Sequence, residues 1–582
     1  MRTAIVWTLL AVATTACRTA PSAAPAASSS APSAAPPAAA PAPPPRAPAP
    51  AKSDDSHVTL VFAASTAGQL VPCGCSPDQR GGLPRAVAYL KKLRADAPNL
   101  LFADAGDLLF ESASRPSPES LTQKELKART LARGEELMGA AARVVGERDL
   151  ALGPKLVEET AGSVPLLDAG AAPLASARAS VLAKAGPVTV GLFSAGLGEN
   201  PQATIAARAR ELRAQGARLV VLLYHPRDNA VSAAQAIVPA ARAAGVDLIV
   251  VGHRDDPASD PDRKDATTPP VLAVEGHGQS LLRVDATLGK GPLVLARGAA
   301  DKDAELAALD ERIARFRSQA AQAKGARREQ LLAKQRELEG RRAAAAAAVD
   351  KAPEGATVAT VSFVPLDAKI PDDTAAKALV DAYDARVTEL NLAEAKTQPE
   401  SCPPAAKGEA QFVGVQKCAQ CHQSEAQFWA QTRHAHAYAT LVAVKKQFSL
   451  DCIRCHVTGW QQPGGVCRID RTEAGGQGLQ VVTATGATFT AGKGRQDVQC
   501  EMCHGPGSLH VADPPEHIEA KVPASVCMRC HEAANSPHFD DAKYRPFIVG
   551  PGHGAPLGKG QTPAPIPGGP LDALKASPEK RQ

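Results

Sequence analysis

The sequence predicts a multidomain protein: an α/β sandwich, a helical hairpin connector, and a mostly helical and irregular C-terminal domain rich in cysteine. Three observations predict it. Apolar runs alternate with amphipathic stretches from residue 57 to 253, a block rich in Ala, Glu, Arg, Lys and Gln at 303–348 has helical spacing, and eight of the 13 cysteines fall in four copies of one motif after residue 417.

With 582 residues, 44% hydrophobic and 21% charged, the chain is long enough to bury several cores, although aromatics are only 3%. Its 65 basic and 60 acidic side chains leave a net charge of +5, too even for a nucleic-acid footprint, and that class of partner is excluded. The one continuous apolar run, residues 4–13, falls far short of the ~20 residues that span a bilayer.

Residues 1–17, MRTAIVWTLLAVATTAC, place Arg2, a short apolar segment and small residues before Cys17, the layout of an export signal. The segment resembles a bacterial lipoprotein signal, with Thr14 where that signal usually carries Leu. The resemblance implies lipidation at Cys17, attachment to a membrane through that lipid, and the periplasmic or cell-surface side, with the outer membrane preferred. The alternative is an ordinary cleaved signal ending at Ala16. Residues 18–52 are nearly all Ala, Pro and Ser, a composition that builds no core and reads as an extended tether.

In the α/β domain, placed at 53–295, the runs HVTLVFAAS, NLLFADAGD, VTVGLFSAG, ARLVVLLYH and VDLIVVGH read as strands. Segments 82–95, 202–215 and 230–244 read as helices between them. PVLAVEGHG and SLLRVDATL follow without a helix, predicting that the sheet closes with antiparallel strands and the domain ends near 295. A connector at 296–400 follows, with Leu306, Leu309, Ile313 and Phe316 as a helix stripe, a break near Gly325, a strand at 356–364 and a helix at 373–391. Residues 401–555 form the cysteine-rich domain, and 556–582 a Pro/Gly-rich tail.

Cys418-Ala-Gln-Cys421-His422, Cys452-Ile-Arg-Cys455-His456, Cys500-Glu-Met-Cys503-His504 and Cys527-Met-Arg-Cys530-His531 are four complete C-x-x-C-H motifs. Two thiols three positions apart each add to a vinyl group of one porphyrin, and the following His then binds the iron from one face. Zinc sites or redox dithiols would not need His after every second Cys. Four covalently bound haem c groups are therefore expected. Six further histidines, His434, His436, His510, His517, His538 and His553, are the pool for distal ligands.

CAQCHQSEAQFWAQTRHAHA, CIRCHVTGW and CEMCHGPGSLH resemble the successive motifs of the cytochrome c554 family of tetrahaem electron carriers, over residues 411–555. The resemblance implies three haems with two His ligands each and one haem with an open face. It assigns distal roles to His434 and His510, with His517 the alternative to His510, and to His553 in preference to His538. His436 has no counterpart.

The order of motifs at 57–290 is similar to the calcineurin-like metallophosphatases, especially the periplasmic nucleotidase branch. Gly106 and Asp107, GERDLALG at 146–153, His225, and Gly252 with His253 match successive motifs. The resemblance implies a metallophosphatase-like sandwich. The departures are Ser65 and Ala67 for the first Asp and His, Arg148 for the general-acid His, and Asp255 for the final His. Two-metal hydrolysis needs both ions and the acid, so phosphoesterase activity is expected to be absent. Asp107, Glu147, His225 and His253 remain as a set for one divalent metal, Glu147 standing for the family's Asn; the alternative is a ligand-free sandwich whose polar groups bond one another. Pro72-Cys73-Gly74-Cys75 follows strand one, and Cys73 and Cys75 are candidates for a redox pair, an ordinary disulfide being the alternative. Cys402 and Cys467 either pair or are unrelated.

The expected function is electron transfer by an exported multihaem c-type cytochrome in a periplasmic or cell-surface respiratory chain, with redox partner proteins such as other cytochromes or a quinone-linked reductase. The alternatives are a haem enzyme acting on a small nitrogen or sulfur species at an open haem, and a metal-dependent nucleotidase-like hydrolase.

Overall fold

The computed structural model describes residues 55–565 apart from 73–78, 173, 228–229, 254–261, 265–268, 297–298, 323, 348–352, 483–487, 533–534 and 537–538. Cys17, the tether, Cys73, Cys75, Asp255 and His538 lie outside the described residues.

Two sheets form the front domain. The first contains β1 (His57–Ala63), β2 (Leu100–Asp104), β3 (Ala140–Val145) and β4 (Leu166–Asp168); the second contains β5 (Ser180–Ala185), β6 (Val188–Ala195), β7 (Leu219–Tyr224), β8 (Leu248–Val251), β9 (Asp262–Lys264) and β10 (Val271–Ala273). The chain then returns to the first sheet with β11 (Ser280–Thr287), β12 (Leu293–Leu295) and β13 (Thr357–Pro365). The strand orders are β12-β13-β11-β1-β2-β3-β4 and β5-β6-β7-β8-β10-β9.

Alternation along each strand makes the layers. Val58, Leu60 and Phe62 of β1 face Val190 and Leu192 of β6 and Leu219, Val221 and Leu223 of β7 in one apolar core. Val61 and Ala63 point the other way, toward α1 (Leu83–Asp96) and α2 (Leu121–Met138). Because β1 is buried on both faces it reads as a continuous apolar run. After the short α3 (Pro154–Glu159), α4 (Pro201–Ala214) and α5 (Ala230–Ala244) cover the second sheet through Ile205, Leu212 and Ile237.

Two expectations are corrected here. The domain does not end near 295: β13 pairs antiparallel with β11 from Ser280↔Pro365 to Thr287↔Val358. The hairpin of α6 (Ala299–Gln322) and α7 (Gly325–Ala347), with Gly325 at φ +57, is thus an insertion between two strands of one sheet. α8 (Thr374–Ala395), capped by Asp373 accepting from Ala376 N at 2.9 Å, buries Val380, Tyr383 and Val387 in the same layer as α1 and α2. The two strands after β8 also part company, β10 joining the second sheet parallel to β8 and β11 the first sheet antiparallel to β1.

The C-terminal region is built from short helices: α9 (Val415–Cys418), α10 (Gln423–Ala430), α11 (Ala437–Ala443), α12 (Leu450–His456), α13 (Glu501–His504), α14 (Ser508–Ala512) and α15 (Ala524–Cys527). Its apolar clusters are small, around Ile453 and Val466 and around Val415 and Trp429. A disulfide joins Cys402 to Cys467. Among the described residues no helix is long and apolar enough to cross a membrane.

Candidate functional sites

Each C-x-x-C-H motif closes one helical turn. His422 N donates to Cys418 O at 2.9 Å, His504 N to Cys500 O at 3.0 Å and His531 N to Cys527 O at 2.9 Å, while Cys452, Cys455 and His456 lie within α12. A turn of this pitch puts the first Cys and the His on one face. None of the eight motif cysteines is in a disulfide.

The imidazoles are oriented for use at Nε2. Nδ1 of His456 donates to Ala437 O at 2.6 Å, that of His504 to Glu519 O at 2.7 Å, that of His510 to Glu516 O at 3.0 Å and that of His553 to Ile548 O. A carbonyl only accepts, so the proton is on Nδ1 and the Nε2 lone pair is available to a metal. Burial, with smaller effects from His531 and His456, holds His434 down to about 4, so its ring is neutral at pH 7.

Three pairs of rings stand at one separation. Their centres are 6.1 Å apart for His422 and His510, 6.1 Å for His504 and His553, and 6.2 Å for His434 and His531. Two imidazoles bound to one metal through bonds of about 2.0 Å bring their ring centres to roughly 6 Å, so the spacing fits an iron between each pair. No ring among the described residues pairs with His456 in this way. His436 instead packs on Phe489 at 4.7 Å, and His517 is exposed.

The motifs also adjoin one another. The Cys418 side chain lies beside Cys500, and Cys455 beside Cys530. The buried Glu501 carboxylate accepts from Val413 N at 2.9 Å, Gly414 N at 2.7 Å and Gly507 N at 2.8 Å, tying the approach to the first motif to the third.

In the front domain, Asp107 leaves the end of β2, and His225 and His253 leave the ends of β7 and β8, so both sheets contribute at their carboxyl ends. The three are buried with ligand atoms within 4.8 Å of one another. His225 donates through Nδ1 to Ala105 O at 2.9 Å; its Nε2 lies 3.4 Å from Asp107 Oδ1 and has no hydrogen-bond partner. His253 Nδ1 is 2.8 Å from Asp107 Oδ2. Burial pushes the Asp107 carboxyl up, but both imidazoles and Arg148 outweigh it and hold the group below the usual range. Gly146 is required here, because a Cβ would stand 2.2 Å from Asp107 Oδ1. An orphaned, buried Nε2 beside a carboxylate and a second imidazole fits one divalent metal.

Glu147, expected as the fourth ligand, is corrected. It precedes the tight turn Arg148–Leu150, and its carboxylate lies 3.6 Å from Arg227 at the rim, away from the cluster. The side chain next to Asp107 is Arg148, whose Nε is 3.4 Å from Asp107 Oδ2, a cation where the resemblance placed an acid. Ser65 and Ala67, at the positions of the missing ligands, keep left-handed backbones at φ 48 and φ 50, and Ser65 Oγ donates to Gly252 O at 2.8 Å. Non-glycine residues held there cost energy and mark a loop fixed by its surroundings.

Residues 417–505 match the model of the family described as cytochrome c554 and c-prime. Cytochrome c-554 of Nitrosomonas europaea is 32% identical over 114 residues, which are 17% of this chain and 40% of that protein. The chain thus covers less than half the length of this relative. Among solved structures, a 5'-nucleotidase precursor from Thermus thermophilus is 17% identical, covering 57% of this chain and 59% of that one, with a TM-score of 0.37. A calcineurin-like phosphoesterase from Bacillus subtilis is 12% identical over 57% of this chain and 97% of its own, with a TM-score of 0.36. The chain is multidomain, with a C-terminal segment similar to the cytochrome c554 family over residues 417–505 and a front α/β sandwich with the strand orders given above.

Proposed function

We propose that this chain is an exported c-type cytochrome carrying four covalent haems, that it moves single electrons, and that its front domain does not hydrolyse phosphoesters. The carrying observation is the set of three imidazole pairs at 6.1–6.2 Å beside four C-x-x-C-H turns. Haem supplies one-electron chemistry when bound. The chain supplies the thioether cysteines of each motif and the ligand pairs His422 with His510, His504 with His553, and His531 with His434. Among the described residues His456 has no partner ring, so the haem on Cys452 and Cys455 would have an open face.

Export by the N-terminal segment, lipidation at Cys17, an outer-membrane location and partnership with other cytochromes or a quinone-linked reductase belong to the same proposal. The Cys402–Cys467 disulfide supports export, since such bonds persist in oxidising compartments. That no ring among the described residues pairs with His456 favours a second reading, in which that haem binds a small nitrogen or sulfur species.

Haem quantification should give four haems per chain, and coulometric reduction four electrons. Fewer than four in fully matured protein would overturn the proposal. Incubation with divalent metal and 5'-nucleotides should release no phosphate.

The front cluster would hold one metal on Asp107, His225 and His253. Arg148 opposes it, since a guanidinium and a divalent cation compete for one carboxylate. Arg148→Ala should tighten zinc binding about tenfold, and Asp107→Ala should abolish it, by calorimetry on the full chain. Equal affinity in wild type and Arg148→Ala would place the metal elsewhere.

A further inference from the structure

We propose that the front domain sets the reduction potential of the haem on Cys452 and Cys455, through a charge cluster shared by the two domains. The proposal rests on the haem reading above. Asp451 directly precedes Cys452 in the first turn of α12. Its carboxylate meets two lysines of α2: Lys124 Nζ is 2.8 Å from Oδ1, and Lys127 Nζ contacts Oδ2. The same ammonium groups meet Glu111, which follows β2, at 2.8 Å from Lys124 and 3.5 Å from Lys127. Tyr383 of α8 is buried in the front layer, and its phenol lies within the electrostatic reach of Lys127, Asp451 and Cys452.

An amide pair fixes the geometry. Asn391 Nδ2 donates to Gln123 Oε1 at 2.8 Å and to Phe448 O at 2.7 Å; Leu450 N donates to Gln123 Oε1 at 3.1 Å; and Gln123 Nε2 donates to Ser449 Oγ at 3.3 Å. Lys446 Nζ adds an ion pair to Asp384 at 2.9 Å. Apart from the Asn391–Gln123 bond itself, these contacts reach residues 446–451, the segment that enters the second motif. The front domain therefore grips the segment entering the motif whose His456 has no partner ring among the described residues. Lys127 keeps only 9% of its side-chain exposure, so the charges act where water screens them weakly.

The four charges cancel, two ammonium against two carboxylate, so each single substitution has a predictable sign. Lys127→Met leaves net negative charge beside the haem, favours ferric iron and lowers the potential. Asp451→Asn leaves net positive charge, favours ferrous iron and raises it. At an effective dielectric constant of ~20, one nearby charge changes the ferrous-to-ferric ratio at fixed potential roughly three- to tenfold.

The test is potentiometric titration of the full haem-loaded chain, following each haem by electron paramagnetic resonance. Opposite shifts for Lys127→Met and Asp451→Asn, larger at the Cys452 haem than at the other three, are expected. Lys124→Met, at a more exposed lysine, should give a smaller shift in the Lys127→Met direction and serves if the buried variant does not fold. A structural clamp alone would give shifts of one sign or none, and either result overturns the proposal. Absence of haem on Cys452 and Cys455 in the wild type overturns the haem reading as well.

Discussion

Replacing His510 by Ala is expected to convert the haem of Cys418 and Cys421 from low-spin to high-spin, doubling the high-spin share of the oxidised protein from one haem in four to two. The cause is local. His422 and His510 are paired at 6.1 Å, and the His510 ring is aimed by its Nδ1 bond to Glu516 O, so its loss removes one axial ligand and leaves the other. His553→Ala should do the same to the haem on Cys500 and Cys503, and His434→Ala to the haem on Cys527 and Cys530. His436→Ala and His517→Ala should leave the spin count unchanged, because His436 packs on Phe489 and His517 is exposed. Spin quantification by electron paramagnetic resonance separates the two groups of variants. An unchanged count in His510→Ala would mean that His517 or another residue closes that haem.

Arg143→Leu is expected to cost the front domain about 3–5 kcal/mol, read as a lower urea midpoint at unchanged slope. Arg143 Nη1 donates to Glu135 Oε2 at 2.9 Å, and the two side chains are 1% and 0% exposed. Asp104 and Asp149 are buried alongside, each stabilised by the same guanidinium. Removing it leaves buried carboxyls without their shared cation, whereas the double variant Arg143→Leu with Glu135→Leu should recover much of the loss. A pH dependence follows. Burial, against the pull of Arg143, raises Glu135 from 4.5 to about 7. A carboxyl whose folded pKa is raised holds its proton more tightly in the fold. Its contribution is therefore full below pH 4.5 and lost as pH rises through about 7. An Arg143→Leu variant as stable as the double variant would show that the pair contributes nothing.

The parts of the structure that the sequence made legible are those governed by local pattern. Strands buried on both faces, such as β1 and β7, appear as apolar runs, and the haem motifs appear because a porphyrin needs two thiols and an imidazole within one turn. Partners far along the chain were hidden. β13 reads as a strand, but nothing in its own residues shows that it pairs with β11 across a helical insertion. The helix α2 went unread because its buried face carries Gln123, Lys127 and Glu135, which are satisfied by α12, α8 and Arg143 rather than by an apolar stripe. Glu147 was misplaced for a related reason: the spacing gave its neighbourhood, and the turn starting at Arg148 decided where its carboxylate points. The distal assignments to His434, His510 and His553 came from resemblance and stand as a proposal, argued from the ring spacings of 6.1–6.2 Å.

The most direct measurement is spin-quantified electron paramagnetic resonance of the oxidised wild-type chain, before and after adding cyanide or nitric oxide. Three low-spin ferric haems and one high-spin ferric haem are expected, with the added ligand changing the high-spin signal alone, because among the described residues His456 lacks the partner ring that His422, His504 and His531 have. Four low-spin haems that ignore both ligands would contradict the open face on the Cys452 haem.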